Sequence, residues 1–151
     1  MISILVTGES FVGRGIRSIG AVISELIRTA SNEIQVVTYL LTSEDLVDLL
    51  VEAAQRGIKI YIVLDSLSGQ PETVRSKLQA ASSIFSYFTV KEFCKEHSGN
   101  LHAKTIICDR TRAIVGSANF TRAGMVSGNH EIAVLISGPE VARLARLIEA
   151  L

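Results

Sequence analysis

A nearly unbroken apolar run over residues 58–64 is the feature that most constrains how this chain can fold. Lys59 is the one charged residue in the run. A strand with apolar side chains on both sides of its backbone needs cover on both faces of its sheet, which is typical of a central strand between two layers of helices. The run follows Gly57, which ends a helical pattern opened by residues 42–45, a segment that resembles a capping box. The sequence therefore predicts an α/β fold.

Similar patterns alternate along the rest of the chain. Apolar residues at helical spacing predict further helices over 16–30, from Pro71 to about Ala81, and from Pro139 onward. Five other strands are predicted at residues 33–41, 84–90, 101–108, 113–115 and 131–137. No linker, internal repeat or low-complexity stretch divides the 151 residues. We therefore expect one domain, 1–151, with a mixed, mostly parallel β-sheet flanked by helices on both faces.

The composition is that of an ordinary globular protein, with 48% hydrophobic and 20% charged residues and a formal net charge of zero. The longest apolar segments are far too short to span a membrane, so we expect no membrane span. Residues 1–6 lack the basic start and the full apolar stretch of a secretory signal. Cys94 and Cys108 are the two cysteines and do not suggest a disulfide framework. Together these features predict a cytoplasmic protein.

The residues that can carry chemistry fall within one short segment. They follow the pattern H-x-K-x4-D-x6-G-S-x-N, formed by His102, Lys104, Asp109, Gly116, Ser117 and Asn119. Because side chains two apart leave a strand on the same face, His102 and Lys104 should project together from the strand predicted over 101–108. An imidazole, a fixed cation and two polar side chains that can bind phosphate suit attack on a phosphodiester.

A tight turn predicted at residues 109–112 joins the strand over 101–108 to the next one in a hairpin. The hairpin should bring Ser117 and Asn119 to the end of the sheet near the histidine. Gly116 is expected to let the backbone approach a phosphate closely. Ser117 and Asn119 are also common turn residues, so a purely local role is the alternative for them.

With this pattern the chain resembles the phospholipase D superfamily, whose HKD signature it carries in full. It resembles most the short members with one motif per chain, the small bacterial endonuclease type. The resemblance extends from about Ile19 to the end of the sequence. It implies the phospholipase D-like fold and an enzyme that cleaves phosphodiesters without a metal.

The resemblance also implies a role for each polar residue of the motif. His102 would be the nucleophile that forms a phosphohistidine, which divides one difficult displacement into two easier ones. Lys104 and Asn119 would hold the phosphate oxygens, and Ser117 would assist them. A cation and an amide donor at these oxygens stabilise the charge that develops during attack.

Two acidic residues complete the implied site. Asp109 would be mainly structural and tie down its turn. Glu131 matches an acidic residue that orients the histidine ring, where a carboxylate fixes the tautomer and stabilises the positive imidazole. A glutamate at the start of a strand can also simply face solvent, which is the alternative for Glu131.

The histidine count bears on how such a site can work. The leaving oxygen needs a proton from a second acid, and histidine is suited to this near neutral pH. The chain has three histidines, His97, His102 and His130, and no second H-x-K pattern; His97 and His130 are interpreted as surface or structural residues. Short members of the family work as twofold homodimers with both motif histidines at the interface. We therefore expect a homodimer in which one His102 attacks and its mate donates the proton.

A zinc site is the alternative interpretation of Cys94 and His97, whose spacing, together with His102, is that of metal ligands. No fourth ligand lies at a usable spacing, and Lys104 occupies the place where a metal cation would sit. The resembled family also works without metal. We therefore expect neither a metal nor another cofactor.

Charge gives a weak indication of the substrate. The segment from Lys91 to Arg122 carries six basic and three acidic residues, a local charge of +3. A positive surface suits a polyanion, so the leading hypothesis is a nuclease that acts on DNA or RNA. The alternatives are a phospholipase D or phosphatidyltransferase activity on lipid, and a nucleic-acid-binding module without turnover. The complete set of motif residues argues against the binding module.

Overall fold

The computed structural model describes residues 1–11, 13–93 and 99–151. The strands in these ranges are β1 (Ile2–Thr7), β2 (Arg17–Ser18), β3 (Glu33–Thr38), β4 (Lys59–Leu64), β5 (Phe88–Glu92), β6 (Thr105–Cys108), β7 (Arg112–Gly116) and β8 (Glu131–Ser137). The helices are α1 (Ile19–Thr29), α2 (Glu44–Gln55), α3 (Glu72–Ile84), α4 (Arg122–Met125) and α5 (Pro139–Glu149). None of the helices in the described ranges is long and apolar enough to cross a membrane.

These strands join one sheet in the order β2-β1-β8-β7-β6-β3-β4-β5. The pairs β1–β2, β3–β4 and β4–β5 are parallel, while β1–β8, β3–β6, β6–β7 and β7–β8 are antiparallel. The predicted α/β fold with a mixed sheet is confirmed, but fewer of the strand pairs are parallel than the sequence indicated. The short β6–β7 connection permits only antiparallel pairing, and this hairpin lies in the middle of the sheet.

Helices cover both faces of the sheet, as predicted. α1, α2 and α3 pack side by side on one face. α5 packs on the other face, where Val141, Ala145 and Ile148 are buried against the central strands. β4 supplies both layers, because Ile62 belongs to the core under the three helices and Val63 to the core under α5. This is the two-sided burial that the apolar run over 58–64 predicts.

Several element boundaries agree with the sequence patterns. β8 has the predicted bounds, and α5 begins at Pro139. Ser43 caps α2, since its hydroxyl accepts a hydrogen bond from the backbone N–H of Leu46 at 3.2 Å. Gly57 follows α2 with a φ of 87°, a conformation that favours glycine and ends the helix.

Other boundaries differ from the expected ones. α1 begins at Ile19, three residues later than expected, because Ser18 forms its N-cap. α3 continues to Ile84, so the following strand begins only at Phe88. The sequence patterns do not predict β1, of which only the second half is buried, or the two-residue strand β2.

The two strands that flank the motif turn, β6 and β7, lie in the interior of the sheet, as predicted. They form the expected hairpin, which reverses through Asp109 and Arg110 at φ values of 54° and 55°. β6 is shorter than expected and begins at Thr105. His102 and Lys104 therefore lie in an irregular segment before the strand, where the N–H of Leu101 donates to the Asp65 carboxylate at 2.9 Å.

Candidate active site

The site forms at one edge of the sheet, where four central strands begin or end. The registers of the central pairs place the ends of β3 and β7 beside the starts of β6 and β8. This pairing collects five of the six predicted site residues at the same edge: His102, Lys104, Ser117, Asn119 and Glu131. The antiparallel hairpin is what brings together two parts of the motif that are separated by more than ten residues in the sequence.

Lys104 lies against the His102 imidazole. Its Nζ is 3.1 Å from Nδ1 and 3.5 Å from Nε2, and it donates to the His102 carbonyl oxygen at 2.8 Å. Both ring nitrogens lie within 3.5 Å of Nζ, so the ammonium lies against the ring itself. The neutral form of an imidazole is the one that can attack an electrophile. The two side chains meet as expected, although on an irregular segment and not on a strand.

The side chains of Lys104 and His102 differ in their exposure to solvent. Lys104 is 8% exposed, whereas His102 is exposed to solvent. Burial lowers the pKa of Lys104, and the negative charge of Glu131 partly opposes this shift. Lys104 is thus a cation in a poorly hydrated place, where it acts on a bound anion more strongly than it would in water.

Ser117 and Glu131 form the second contact of the site. The Ser117 hydroxyl donates to one carboxylate oxygen of Glu131, and the side-chain amide of Asn129 donates to the other at 3.2 Å. Asn129 is not part of the sequence motif. Its position two residues before Glu131 is the one feature of the sequence that connects it with the site. Among the hydrogen bonds of the described residues, none joins Glu131 to His102, so its ring-orienting role stays a prediction.

Asn119 follows β7 and packs against α4. A Cβ on Gly124 would lie 2.4 Å from the Asn119 carbonyl oxygen, so this glycine allows the close approach that fixes Asn119. The side-chain Oδ1 of Asn119 is buried and receives no hydrogen bond from a described residue. A hydrogen bond from Asn119 to a phosphate oxygen would come from its other side-chain atom, the amide Nδ2, which is a donor.

Asp109 lies at the opposite end of β6, away from the site. Its carboxylate accepts hydrogen bonds from the backbone N–H groups of Ser31 at 3.0 Å, Asn32 at 2.7 Å and Glu33 at 3.1 Å. Burial by itself would raise the pKa of Asp109, but these donors and the charge of Arg112 hold the pKa below its usual value. Asp109 therefore joins the α1–β3 connection to the β6–β7 turn, and it does not belong to the catalytic group.

Gly116 allows two strands to approach each other closely. A Cβ at this position would lie 2.4 Å from the Cβ of Ala133 and 2.8 Å from the carbonyl oxygen of Ile132. The close approach of β7 and β8 is therefore one reason for the glycine, and its expected role in the approach of a phosphate stays a prediction.

His130 has structural contacts, in line with its interpretation from the sequence. Its Nε2 accepts a hydrogen bond from the backbone N–H of Ser10 at 3.3 Å and lies 3.0 Å from the Ser10 hydroxyl. Its ring meets Phe11 edge-on, with 5.5 Å between the ring centroids. His130 therefore anchors the loop after β1 beside the start of β8.

Two of the six basic residues in segment 91–122 lie away from the site. Arg112 begins β7 at the far end of the hairpin, next to Arg110 in the turn. Arg110 pairs there with Glu33 and Glu149, which neutralise it. These two arginines therefore add no positive charge at the site, while Lys104 lies within it and Lys95 lies outside the described ranges, so the positive motif face stays a prediction. The hairpin that collects the polar motif residues also sends these two arginines to the opposite edge of the sheet.

The zinc alternative depends on residues outside the described ranges. Cys94 and His97 both lie there, as do Lys95 and Glu96. In the described parts of the chain, no three or more histidine, cysteine or acidic side chains are grouped so that they could hold a metal ion. Cys108 is buried in β6, and burial raises the pKa of its thiol to about 12. Such a thiol is a core residue and not a reactive group.

Comparison with known proteins relates this site to others. The chain matches the family described as "Cardiolipin synthase, PLD-like domain" over residues 23–150, which include all the motif residues. The DISARM protein DrmC of Bacillus paralicheniformis is 31% identical in a match of 146 residues, and the match covers 93% of this chain and 58% of that protein. The chain thus spans less than two thirds of the length of this relative.

Two solved structures share the fold over almost the whole chain. Nuc of Salmonella typhimurium, described as a phospholipase D family member, superposes with a TM-score of 0.77 at 24% identity. The superposition covers 99% of this chain and 93% of the Nuc chain. NucT of Helicobacter pylori superposes with a TM-score of 0.75 at 19% identity, and the superposition covers 99% of this chain and 94% of the NucT chain. The fold, the motif histidine and lysine beside Ser117 and Asn119 at one sheet edge, and the family match over most of the chain agree: this chain belongs to the phospholipase D superfamily.

Proposed function

We propose that this protein is a metal-independent phosphodiesterase that hydrolyses DNA or RNA with His102 as its nucleophile. The observation that carries the proposal is the 3.1 Å contact between Lys104 Nζ and His102 Nδ1. It puts a buried cation beside an exposed imidazole. A phosphodiester repels nucleophiles through its negative charge, and such a cation neutralises that charge where the imidazole attacks.

The reaction has two steps. A ring nitrogen of His102 attacks the phosphorus, so a P–N bond forms while the P–O bond to the leaving group breaks. The leaving oxygen takes a proton from a second imidazole, which acts as the general acid. That imidazole then takes a proton from water as the water attacks the phosphorus and breaks the P–N bond. Lys104 and Asn119 bind the non-bridging oxygens during both steps, and Ser117 and Glu131 complete the site.

The second imidazole comes from a second copy of the chain. His130, the other histidine among the described residues, is already held by Ser10 and Phe11. His102 is exposed, so a twofold axis beside it can bring two copies face to face and form one shared site. The two rings would then titrate as a coupled pair.

An uncovered apolar part of the sheet supports the homodimer. Ile2 and Ile4 pair with β8 and lie, like Ile132, on the face of the sheet that α5 covers only in part. These three side chains are 70%, 58% and 54% exposed. Large exposed apolar patches are typical of interaction surfaces. Because Ile132 directly follows Glu131, a second copy that covers this patch also approaches the site.

Phosphatidyl transfer on lipid is the second candidate function, favoured by a family description that names cardiolipin synthase. The nuclease takes precedence because Nuc and NucT share the fold over 99% of this chain with TM-scores of 0.77 and 0.75. A binding module without turnover is disfavoured by the complete set of motif residues. DNA and RNA are both kept as substrates of the proposal.

The test compares the wild-type chain with His102→Ala on single-stranded DNA, duplex DNA, RNA and phosphatidylcholine vesicles, with a chelator present throughout. We expect cleavage of nucleic acid by the wild type, and a radiolabelled phosphoryl group on His102 after rapid denaturation that resists alkali and is released by acid. His130→Ala is the matched control and should still take up the label. Turnover by His102→Ala, or loss of wild-type activity in chelator, would contradict the proposal.

A further inference from the structure

Tyr39 places an aromatic ring directly beside the nucleophile. It follows the last residue of β3, at the edge of the sheet where the site forms. The centroid of its ring lies 5.5 Å from that of the His102 imidazole, and the two planes are inclined by 47°. The side chain is 37% exposed, so part of the ring is open to a ligand at the site. Neither the motif nor the reaction described above uses this ring.

Buried hydrogen bonds hold the Tyr39 segment in place. Gln70, which is 4% exposed, donates from its side chain to the Tyr39 carbonyl oxygen at 3.1 Å and accepts from the Leu41 N–H at 2.7 Å. On the other side, the N–H of Phe120 donates to the Leu40 carbonyl oxygen at 3.2 Å. The segment is thus fixed between two neighbouring loops, one of which carries the motif residue Asn119. A ring held in this way is preorganised for binding.

The position of the ring determines what it can touch. When His102 attacks a phosphodiester, the two ester substituents extend from the phosphorus beside the imidazole, and a ring 5.5 Å from that imidazole lies within their reach. In a nucleic acid these substituents are nucleosides with flat bases. Aromatic side chains bind bases by stacking in a way that tolerates any sequence, and the base must be unpaired to offer its face.

A quaternary ammonium headgroup can also bind an aromatic ring, but it is typically held by a cage of several rings. In the described residues, Tyr39 is the one ring in contact with His102. Phe11 and His130 form a separate pair. A single ring beside the reacting phosphate fits a base better than it fits choline.

We propose that Tyr39 determines substrate specificity by stacking on an unpaired base next to the phosphodiester that His102 attacks, which makes single-stranded nucleic acid the preferred substrate. This inference rests on the proposed nuclease function. It adds Tyr39, a residue outside the HKD pattern, to the site. It also predicts a preference for single-stranded nucleic acid, which the motif residues by themselves do not predict.

The test uses a single-stranded oligonucleotide with one phosphodiester among uncharged methylphosphonate linkages, so that cleavage occurs at one place. A matched oligonucleotide has abasic residues on both sides of that phosphodiester. We expect Tyr39→Leu to lower kcat/KM about 10-fold on the intact oligonucleotide, whereas Tyr39→Phe stays close to wild type. On the abasic oligonucleotide, the wild type should be slow and Tyr39→Leu should equal it.

Tyr87→Leu is the control, since it removes a ring of similar exposure, 36%, from the residue before β5. The thermal unfolding of all variants is compared to exclude loss of the fold. Equal losses by Tyr39→Leu on both oligonucleotides would show that the ring only supports His102 and would overturn the proposal. Equal wild-type rates on single strands and duplexes would also overturn it. Cleavage of phosphatidylcholine but of no nucleic acid would instead refute the nuclease function itself.

Discussion

Lys104 holds its charge in a place where burial disfavours it. Burial lowers its pKa from the ordinary lysine value of 10.5, and Glu131 opposes the shift in part. The ammonium therefore loses its proton at a lower pH than that of an exposed lysine. If this charge holds the phosphate, kcat should fall as the pH rises through the lowered pKa.

Two substitutions test this role of Lys104. We expect Lys104→Gln to lower kcat about 100-fold to 1000-fold, the usual effect of removing one group that stabilises the transition state. Lys104→Arg keeps a charge that does not titrate below pH ~12, so its remaining activity should lack the alkaline decline. Lys91→Gln, an exposed position on β5, is the matched control. A near-normal kcat for Lys104→Gln in a pH–rate series would contradict the role.

Asp109 contributes to stability in a way that depends on pH. Its folded-state pKa is lowered, so its carboxylate stabilises the fold fully above the unfolded pKa of about 3.9. This contribution is lost as the pH falls through the lower folded-state value. We expect Asp109→Asn to reduce the free energy of unfolding by about 1–3 kcal/mol at neutral pH, because the amide has one acceptor oxygen for three backbone donors.

Urea unfolding at neutral and acidic pH measures this effect. The difference between Asp109→Asn and wild type should shrink toward low pH, while kcat of the folded variant stays close to wild type. A large loss of kcat in a folded variant would show that Asp109 acts in the site after all. A difference that does not change with pH would contradict the electrostatic explanation.

At the residue scale, the sequence identifies the groups that carry chemistry because their types and spacing form one pattern. It does not identify Asn129 or Gln70. Both act through hydrogen bonds to residues that the pattern does not constrain, such as the Glu131 carboxylate and the Tyr39 carbonyl oxygen. It also does not show that Gly116 allows the close approach of β7 and β8, because that depends on which residues of β8 lie opposite it.

At the scale of elements, the sequence predicts those helices and strands whose bounds depend on residues close together in the chain. α5 has a proline at its start and a regular apolar face, and β8 is an apolar run of ordinary strand length. β6 begins later than predicted because Leu101 is tied to Asp65, a contact between residues 36 positions apart. The sheet also has fewer parallel strand pairs than predicted, because the pairing depends on which strands become neighbours. The residue pattern of a strand does not specify its neighbours.

Gln70 links two loops at the edge of the sheet where the site forms. Its amide also donates to the Ser66 carbonyl oxygen at 2.8 Å. We expect Gln70→Leu to lower the free energy of unfolding by about 1–3 kcal/mol, since it leaves buried backbone groups without partners. Activity should fall more than stability alone explains, because the Tyr39 segment loses its anchor.

Gln79→Leu is the control for Gln70→Leu, because Gln79 is an exposed residue of α3 with the same side chain. Urea unfolding and kcat/KM on single-stranded DNA are measured for both variants. Unchanged stability and activity in Gln70→Leu would contradict the anchoring role.

At the scale of the whole molecule, the proposed reaction requires that two copies share one site. The apolar patch of Ile2, Ile4 and Ile132 is the surface proposed to join them. We expect the double substitution Ile4→Lys with Ile132→Lys to give a folded monomer without nuclease activity, because charges at the patch oppose its burial. Sedimentation and circular dichroism measure the two properties separately.

Ile84→Lys is the control for the patch, since Ile84 is also highly exposed but lies at the end of α3. It should sediment and cleave like the wild type. A monomer of the double variant that retains full activity would mean that one chain suffices for the reaction.

The most direct measurement of the central claim is activity in mixed dimers. Wild-type and His102→Ala subunits with different tags are co-expressed in varied ratios, so that they assemble at random. If one His102 attacks while its mate supplies the proton, only dimers with two wild-type subunits are active, and activity falls with the square of the wild-type fraction. Activity that falls in simple proportion to the wild-type fraction would contradict the shared site, because each subunit would then work by itself.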